Sequence, residues 1–174
     1  KADLYTVTYD PNWPSEQGHS GTVPAGTQYA AGETVTVADS DIACEGYVFV
    51  GWKSEYDGET YDADDTFTMP AQDVELVAQW RASDSTRYTV EHYLEDANGE
   101  YTLVEDDTET RYGTTGAKPE YTENDYTGYT YVADKTVTVS RADDDTETPT
   151  TTIEADGSTV VKLYYDIATG SLTI

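Results

Sequence analysis

Cysteine occurs once in the 174 residues, at Cys44. No internal disulfide can form, so any small domain here holds together without that staple. Beside Ile42 and Ala43 the lone thiol reads as a small buried hydrophobe. Basic residues are scarce too: 9 Lys and Arg stand against 35 Asp and Glu, a net charge of −26. Both halves carry it, with 3 basic and 15 acidic residues (net −12) in residues 1–81 and 6 and 20 (net −14) in residues 82–174. Nucleic acid is excluded as a partner, because phosphate neutralisation needs a Lys/Arg face. Anionic lipid headgroups would repel the same surface. No apolar run approaches the roughly 20 residues that cross a bilayer as a helix, and no membrane insertion is expected. Nor does a basic, apolar leader stand at Lys1, from which an internal fragment of a longer protein is expected.

Histidine is limited to His19, in a glycine-containing loop, and His92, in an alternating stretch where it reads as a surface or sheet-face residue. No Ser or Cys can be placed beside both, so no catalytic triad is expected, and metal ligation lacks partners at ligand spacing. The acidic runs at 62–65, 106–107 and 143–145 carry the oxygens that calcium wants, but charge runs are ordinarily solvated faces. The 96–100 segment lacks the remaining ligands of a calcium loop. Carboxylate pairs for sugar hydrolysis can always be drawn from 35 acids and so indicate nothing. No enzyme, no metal and no cofactor is expected.

What the chain has is tyrosine, 16 of them, set in Val- and Thr-rich alternation that suits half-buried pleated surfaces. Its length suffices for two domains of about 80 residues, each with a small core. Residues 4–9 alternate, with Tyr5, Val7 and Tyr9 on one face and Thr6 and Thr8 on the other. Residues 13–21 read as an exposed loop. Extended segments follow at 26–29 and 33–37, and one helical turn is expected over 39–45, capped by Asp39 or Ser40 and ended by Gly46. The most apolar and aromatic stretch of this half, 47–52, reads as its central strand. Asp57-Gly58 marks a hairpin turn. In the closing strand, Val74, Leu76, Ala78 and Trp80 share a face.

The order Gly46-Tyr47-Val48-Phe49-Val50-Gly51-Trp52, then Thr66-Phe67-Thr68-Met69-Pro70 and a last strand ending at Trp80, resembles the internalin-type B-repeat of bacterial surface proteins across residues 1–81. It departs from that pattern at 13–20, where the loop is longer than the usual Asn-Gly-Gly turn. The resemblance implies a β-grasp-like roll.

Residues 82–86 read as a linker. A second module then opens on alternation at 88–94. Asn98-Gly99 is the strongest hairpin signal in the chain, leading into 101–104. Residues 105–111 continue as an acidic edge strand, Gly128-Tyr129-Thr130-Tyr131-Val132 sits where 46–50 sits in the first half, and 143–152 reads as a mobile acidic loop. An Asp156-Gly157 turn introduces the last strand at 159–166. This layout resembles the mucin-binding-protein (MucBP-like) repeats over residues 86–167. Residues 168–174 read as the opening strand of a following module.

The expectation is therefore mainly β: two tandem β-grasp-like (ubiquitin-like) rolls with little helix, comprising residues 1–81, a linker at 82–86 and residues 87–167. The function expected is a stalk or spacer in a surface protein attached to the cell wall of a Gram-positive bacterium, presenting a distal domain. Expected partners are neighbouring modules of the same polypeptide, and the chain itself is expected to be a monomer. The alternative is an adhesin module that binds host mucin glycans or glycoproteins through exposed aromatics. Flat rings suit the apolar faces of sugars, which singles out Trp13, Tyr112, Tyr121 and Tyr126. Acidic neighbours mark Tyr121 and Tyr126 as exposed. Lys53, Lys118, Lys135 and Lys162 with Asn98 or Asn124 supply the atoms of a Lys-Asn cross-link, which characterises neither family.

Overall fold

The alternating stretch at the start of the chain forms β1 (Leu4–Asp10), with Val7 fully buried and Tyr5 and Tyr9 half-buried on the same face. The structure, a computed structural model, describes residues 1–169. The chain divides into two units, Lys1–Ala82 and Ser83–Ile174. Unit 1 continues with β2 (His19–Ser20), β3 (Thr27–Ala30), β4 (Thr34–Thr36), β5 (Ala43–Cys44), β6 (Tyr47–Ser54), β7 (Thr60–Tyr61), β8 (Thr66–Thr68) and β9 (Val74–Ala82). Five of these make a sheet in the order β3-β1-β9-β6-β7, and the pairs β2-β5 and β4-β8 stand apart from it.

The first and last strands of unit 1 lie side by side and parallel, Val7 opposite Val74 through Asp10 opposite Val77. That is the arrangement of a β-grasp sheet, built here without an α-helix. A parallel pair needs a long return connection, and here the intervening strands provide it. Val35, Val37, Ile42 and Met69 bring the second wall of the core from outside the sheet. They pack with Val7, Trp52, Val74, Leu76 and Ala78, all close to fully buried.

Three expectations for this unit are corrected. No helical turn forms at 39–45. There two side chains accept from backbone N–H groups locally, Asp39 from Ser40 (2.9 Å) and Ser40 from Ile42 (3.2 Å), and Asp41 reaches out to the Thr22 N–H (2.8 Å). Such bonds compete with a helix, and Ile42 and Cys44 are buried while Ala43 and Glu45 are exposed, a period of two. The loop 13–21 contains the short strand β2, paired with β5. The 47–52 stretch is not central: β9 is, and β6 lies one place from the sheet edge. Its rings reflect the depth of the core beneath it, where Trp52 meets Tyr9 and Phe49 edge-on at 5.0 and 5.3 Å. A bulge interrupts β6 between Phe49 and Gly51. Gly51 has φ +145°, and a Cβ there would lie 2.9 Å from Thr60 and 3.1 Å from the Tyr61 carbonyl, so only glycine fits.

Unit 2 comprises β10 (Thr86–Glu95), β11 (Tyr101–Leu103), β12 (Glu109–Gly113), β13 (Tyr129–Tyr131), β14 (Val137–Arg141), β15 (Glu147–Pro149) and β16 (Thr159–Ile167). They form one sheet in the order β11-β10-β16-β14-β15, with β12 also on β10 and β13 also on β16. Again the first and last strands are parallel neighbours, Thr89 opposite Val160 through Leu94 opposite Tyr165. The Asn98-Gly99 hairpin joins β10 to β11, with Gly99 at φ +79°. The core is Tyr88, Val90, Ile153, Val161, Leu163 and Tyr165.

Residues 83–85 alone separate β9 from β10, fewer than the 82–86 linker expected. The edge strand placed at 105–111 starts later, after a 3-10 turn at Glu105–Asp107, and pairs with β10 as β12. Part of the 143–152 loop is β15, paired with β14. The strand expected at 168–174 falls mostly outside the described residues.

Candidate functional site

Side chains alternate along β10, so Val90 and His92 face the core of unit 2 while Glu91 and Tyr93 face the other way. His92 is fully buried, not a surface residue. Its Nδ1 lies 2.8 Å from the Tyr165 hydroxyl and its Nε2 3.0 Å from Glu109 Oε2. The Asn124 backbone N–H donates to that hydroxyl at 2.8 Å. The Glu109 carboxylate can only accept, so Nε2 donates to it, while Nδ1 has the Tyr165 hydroxyl as its partner. Glu109 also accepts from Arg111 Nη2 at 2.9 Å. Burial alone would raise the Glu109 carboxyl, but these bonds from His92 and Arg111 outweigh it and hold the carboxyl below its ordinary range.

This polar chain fastens the 123–131 segment onto the core. Asn124 Nδ2 donates to the Tyr126 hydroxyl at 3.2 Å, which donates to Asp107 Oδ2 at 2.6 Å, and the Tyr126 ring meets Tyr165 edge-on at 4.8 Å. Burial, with Asp107 adding to it against Asn124, pushes the Tyr126 hydroxyl up to about 12. The Tyr131 hydroxyl bonds Thr136 at 2.6 Å. Over this framework opens a hollow of about 460 Å³ lined by Glu123, Asn124, Asp125, Tyr126, Tyr129, Thr130 and Tyr131. Its lining sets phenol rings beside two carboxylates and an amide, flat apolar faces next to hydrogen-bonding groups.

The structure separates the four aromatics singled out above. Tyr121 and Tyr126 are half-buried against the core of unit 2, which corrects their expected exposure: apolar core contacts outweigh the acidic neighbours in sequence. Tyr112 is 64% exposed on β12 and lines a different groove, of about 260 Å³, with Lys118 and Glu120. Trp13 belongs to unit 1, half-buried, stacked on His19 at 4.5 Å and leaning on Trp80 at 5.7 Å. Sequence reasoning missed the parts played by Tyr131, Asn124 and the His92 chain. The alternation Val90-Glu91-His92 was the available signal for His92.

On the opposite face of the same sheet, Glu91 is 3% exposed and held by Arg141 at 2.6 and 3.0 Å and by the Tyr93 hydroxyl at 2.5 Å. Burial would raise this carboxyl too, but the bonds from Arg141 and Tyr93 and the charge of Lys162 keep it low. Glu147 joins Arg141 and Lys162 at 2.8 and 3.1 Å. Lys135 pairs with Asp166 and with Tyr101. Among the described residues no group of three or more His, Cys, Asp or Glu is placed to hold a metal ion, and no helix is long and apolar enough to cross a membrane. Lys135 and Lys162 are engaged by carboxylates and the Asn124 amide by Tyr126, away from any Lys-Asn bond.

The chain is similar to known proteins in three ways. Residues 14–84 match the family described as the divergent InlB B-repeat domain. A protein of Evansella cellulosilytica described as "Putative membrane protein" is 31% identical over 80 residues, which is 44% of this chain and 12% of that protein. The chain thus spans about an eighth of that relative's length. The solved tandem SHIRT domains 3-4 (Streptococcal High Identity Repeats in Tandem) from a cell surface protein align over 94% of this chain and 99% of theirs, at 18% identity and a TM-score of 0.33. At that score the likeness decides nothing about the fold.

Proposed function

Starting from a B-repeat match that covers residues 14–84, most of unit 1, we propose that this chain is a non-catalytic repeat segment of an extracellular protein attached to the cell wall of a Gram-positive bacterium, acting as a spacer that presents a distal domain. The observation that carries the reading is the match together with what each unit does with its polar groups. Each unit closes a core of its own, and no buried side-chain nitrogen or oxygen among the described residues lacks a hydrogen-bond partner. The His92 and Glu91 networks are spent on joining strands, which is what a scaffold requires. The surplus of carboxylates keeps neighbouring molecules on a crowded surface apart. Unit 2, in this reading, is a MucBP-like partner module. The chain is monomeric and its partners are the modules on either side.

A fusion that places the chain between a surface anchor and a reporter domain tests this. The spacer reading expects a bulky probe to reach the reporter more readily with the chain than without it, with reporter affinity unchanged. Equal access in both would overturn it.

The hollow at 123–131 supports a second reading, an adhesin module that binds host glycans or glycoproteins through unit 2, with Tyr126 at its wall, Tyr121 behind it, Tyr112 as an outlying contact and Trp13 as a separate one in unit 1. Its acids select neutral sugars. Binding on a glycan array that falls at least tenfold in Tyr129→Ala and persists in Tyr112→Ala would place the sugar in the hollow, and an array with no binding would remove this reading.

A further inference from the structure

In both units the strand that enters from the N-terminal side and the strand that leaves on the C-terminal side are adjacent, parallel and hydrogen-bonded. Tension applied through the chain ends therefore pulls β1 against β9, and β10 against β16, along their own axes. All the bonds of such a ladder bear load together, whereas a hairpin pulled from its open end loses them one at a time. Forced unfolding is governed by the height of the unfolding barrier and not by equilibrium stability.

The two clamps are unequal. Unit 1 has four paired positions, Val7 to Asp10 against Val74 to Val77. Unit 2 has six, Thr89 to Leu94 against Val160 to Tyr165. The second clamp is also braced by side chains that cross it on both faces. Tyr93 stacks on its partner Tyr164 at 5.2 Å and 24°, Lys162 lies 5.1 Å from the Tyr93 ring centre, and His92 bonds Tyr165 beneath the sheet. Glu91, beside Lys162 in the register, is tied through Arg141 to Glu147. No such ring stack or ion pair spans β1 and β9 among the described residues.

We infer that the two units are load-bearing shear clamps of graded strength, unit 1 yielding first and unit 2 holding to a force about 1.5-fold higher, in the ratio of their paired positions. This goes beyond the spacer reading, since a spacer need not resist tension. A negative result here would leave that reading standing.

The test is single-molecule pulling of the intact chain by its two ends at neutral pH. Two unfolding events are expected, each releasing about 30 nm of chain at roughly 3.6 Å per residue. A ten-residue Gly-Ser insertion in the exposed turn between Asp144 and Asp145 lengthens only the release from unit 2, by about 3.6 nm, and identifies it as the later, higher-force event. A second geometry isolates the clamp. Because β10 and β16 are parallel, the hairpin tip at Asn98 lies at the end where β16 leaves the sheet. Pulling between a handle on Asn98→Cys, with Cys44→Ala to leave one thiol, and the C-terminus peels unit 2 open, and its force should fall severalfold below that for end-to-end pulling. Equal force in both geometries, or unit 2 yielding before unit 1, would overturn the inference.

Discussion

In unit 1 the side chains that close the core are aliphatic and aromatic, with Trp52, Phe49, Tyr9 and Trp80 in edge-on contact. In unit 2 the same sheet plan closes over Tyr88, Tyr165, four aliphatic side chains and the buried His92, with the buried Glu91 on the other face, and every ion pair found among the described residues lies there. One sheet plan is thus stabilised in two ways. The first unit draws on transfer of apolar area from water, which is indifferent to pH. The second adds paired charges, which are not. Both units also interrupt the antiparallel partner of their last strand. A one-residue bulge does so at Gly51 in unit 1, and in unit 2 a 3-10 turn at Ala133–Lys135 divides β13 from β14.

The sharpest way to break the comparison is Trp52→Ala. The side chain is 1% exposed at the centre of the unit 1 core, and its loss should cost about 3–5 kcal/mol. All three tryptophans lie in unit 1, so Trp13 and Trp80 fluorescence should report unit 1 melting early while the unit 2 transition stays in place. Next is Glu91→Ala, which strips a buried carboxylate from Arg141. Breaking a buried pair costs several kcal/mol, but Arg141 is 27% exposed and keeps Glu147, so about 2 kcal/mol is expected, in unit 2 alone, by urea denaturation. Lys135→Ala should have the smallest effect. Its pair with Asp166 stands in solvent, and the melting of unit 2 should be nearly unchanged at 0.15 M salt, as exposed pairs contribute little. A large loss would mean that the Tyr101, Lys135 and Asp166 group supports the sheet.

Much of the sheet plan was legible in the alternation. Val7, Val35, Val37, Val74, Leu76 and Ala78 all point inward as their period of two indicates, and the Asp-Gly and Asn-Gly pairs sit in the hairpins they announce. What escaped reading depends on distant partners. The 39–45 segment carries helix-capping residues, yet those side chains bond the backbone of an extended chain. Tyr121 and Tyr126 are surrounded by acids in sequence, but the fold turns their rings to Tyr165 and its neighbours. The burial of Glu91 was not legible, because nothing near it in sequence reveals that Arg141, fifty residues away, lies across the sheet face. The hollow is harder still to read, since Asn124 and Tyr165 are brought together only by the return of β16.

Acid titration of the intact chain tests the division most directly. Glu91, Glu109 and Glu147 have carboxyls held below their ordinary value of 4.5 in the folded state. Their contribution is therefore present above that value and is lost as pH falls through the depressed folded values. Both units, with twelve and fourteen surplus negative charges by the count above, are relieved of repulsion over the same range, so that relief does not separate them. With tryptophan emission following unit 1 and tyrosine near-ultraviolet circular dichroism weighted toward unit 2, the melting temperature of unit 2 should fall relative to that of unit 1 between pH 5 and about pH 3. A gap that stays constant across that range, or a unit 1 that weakens first, would contradict the claim that the two units are held together by different means.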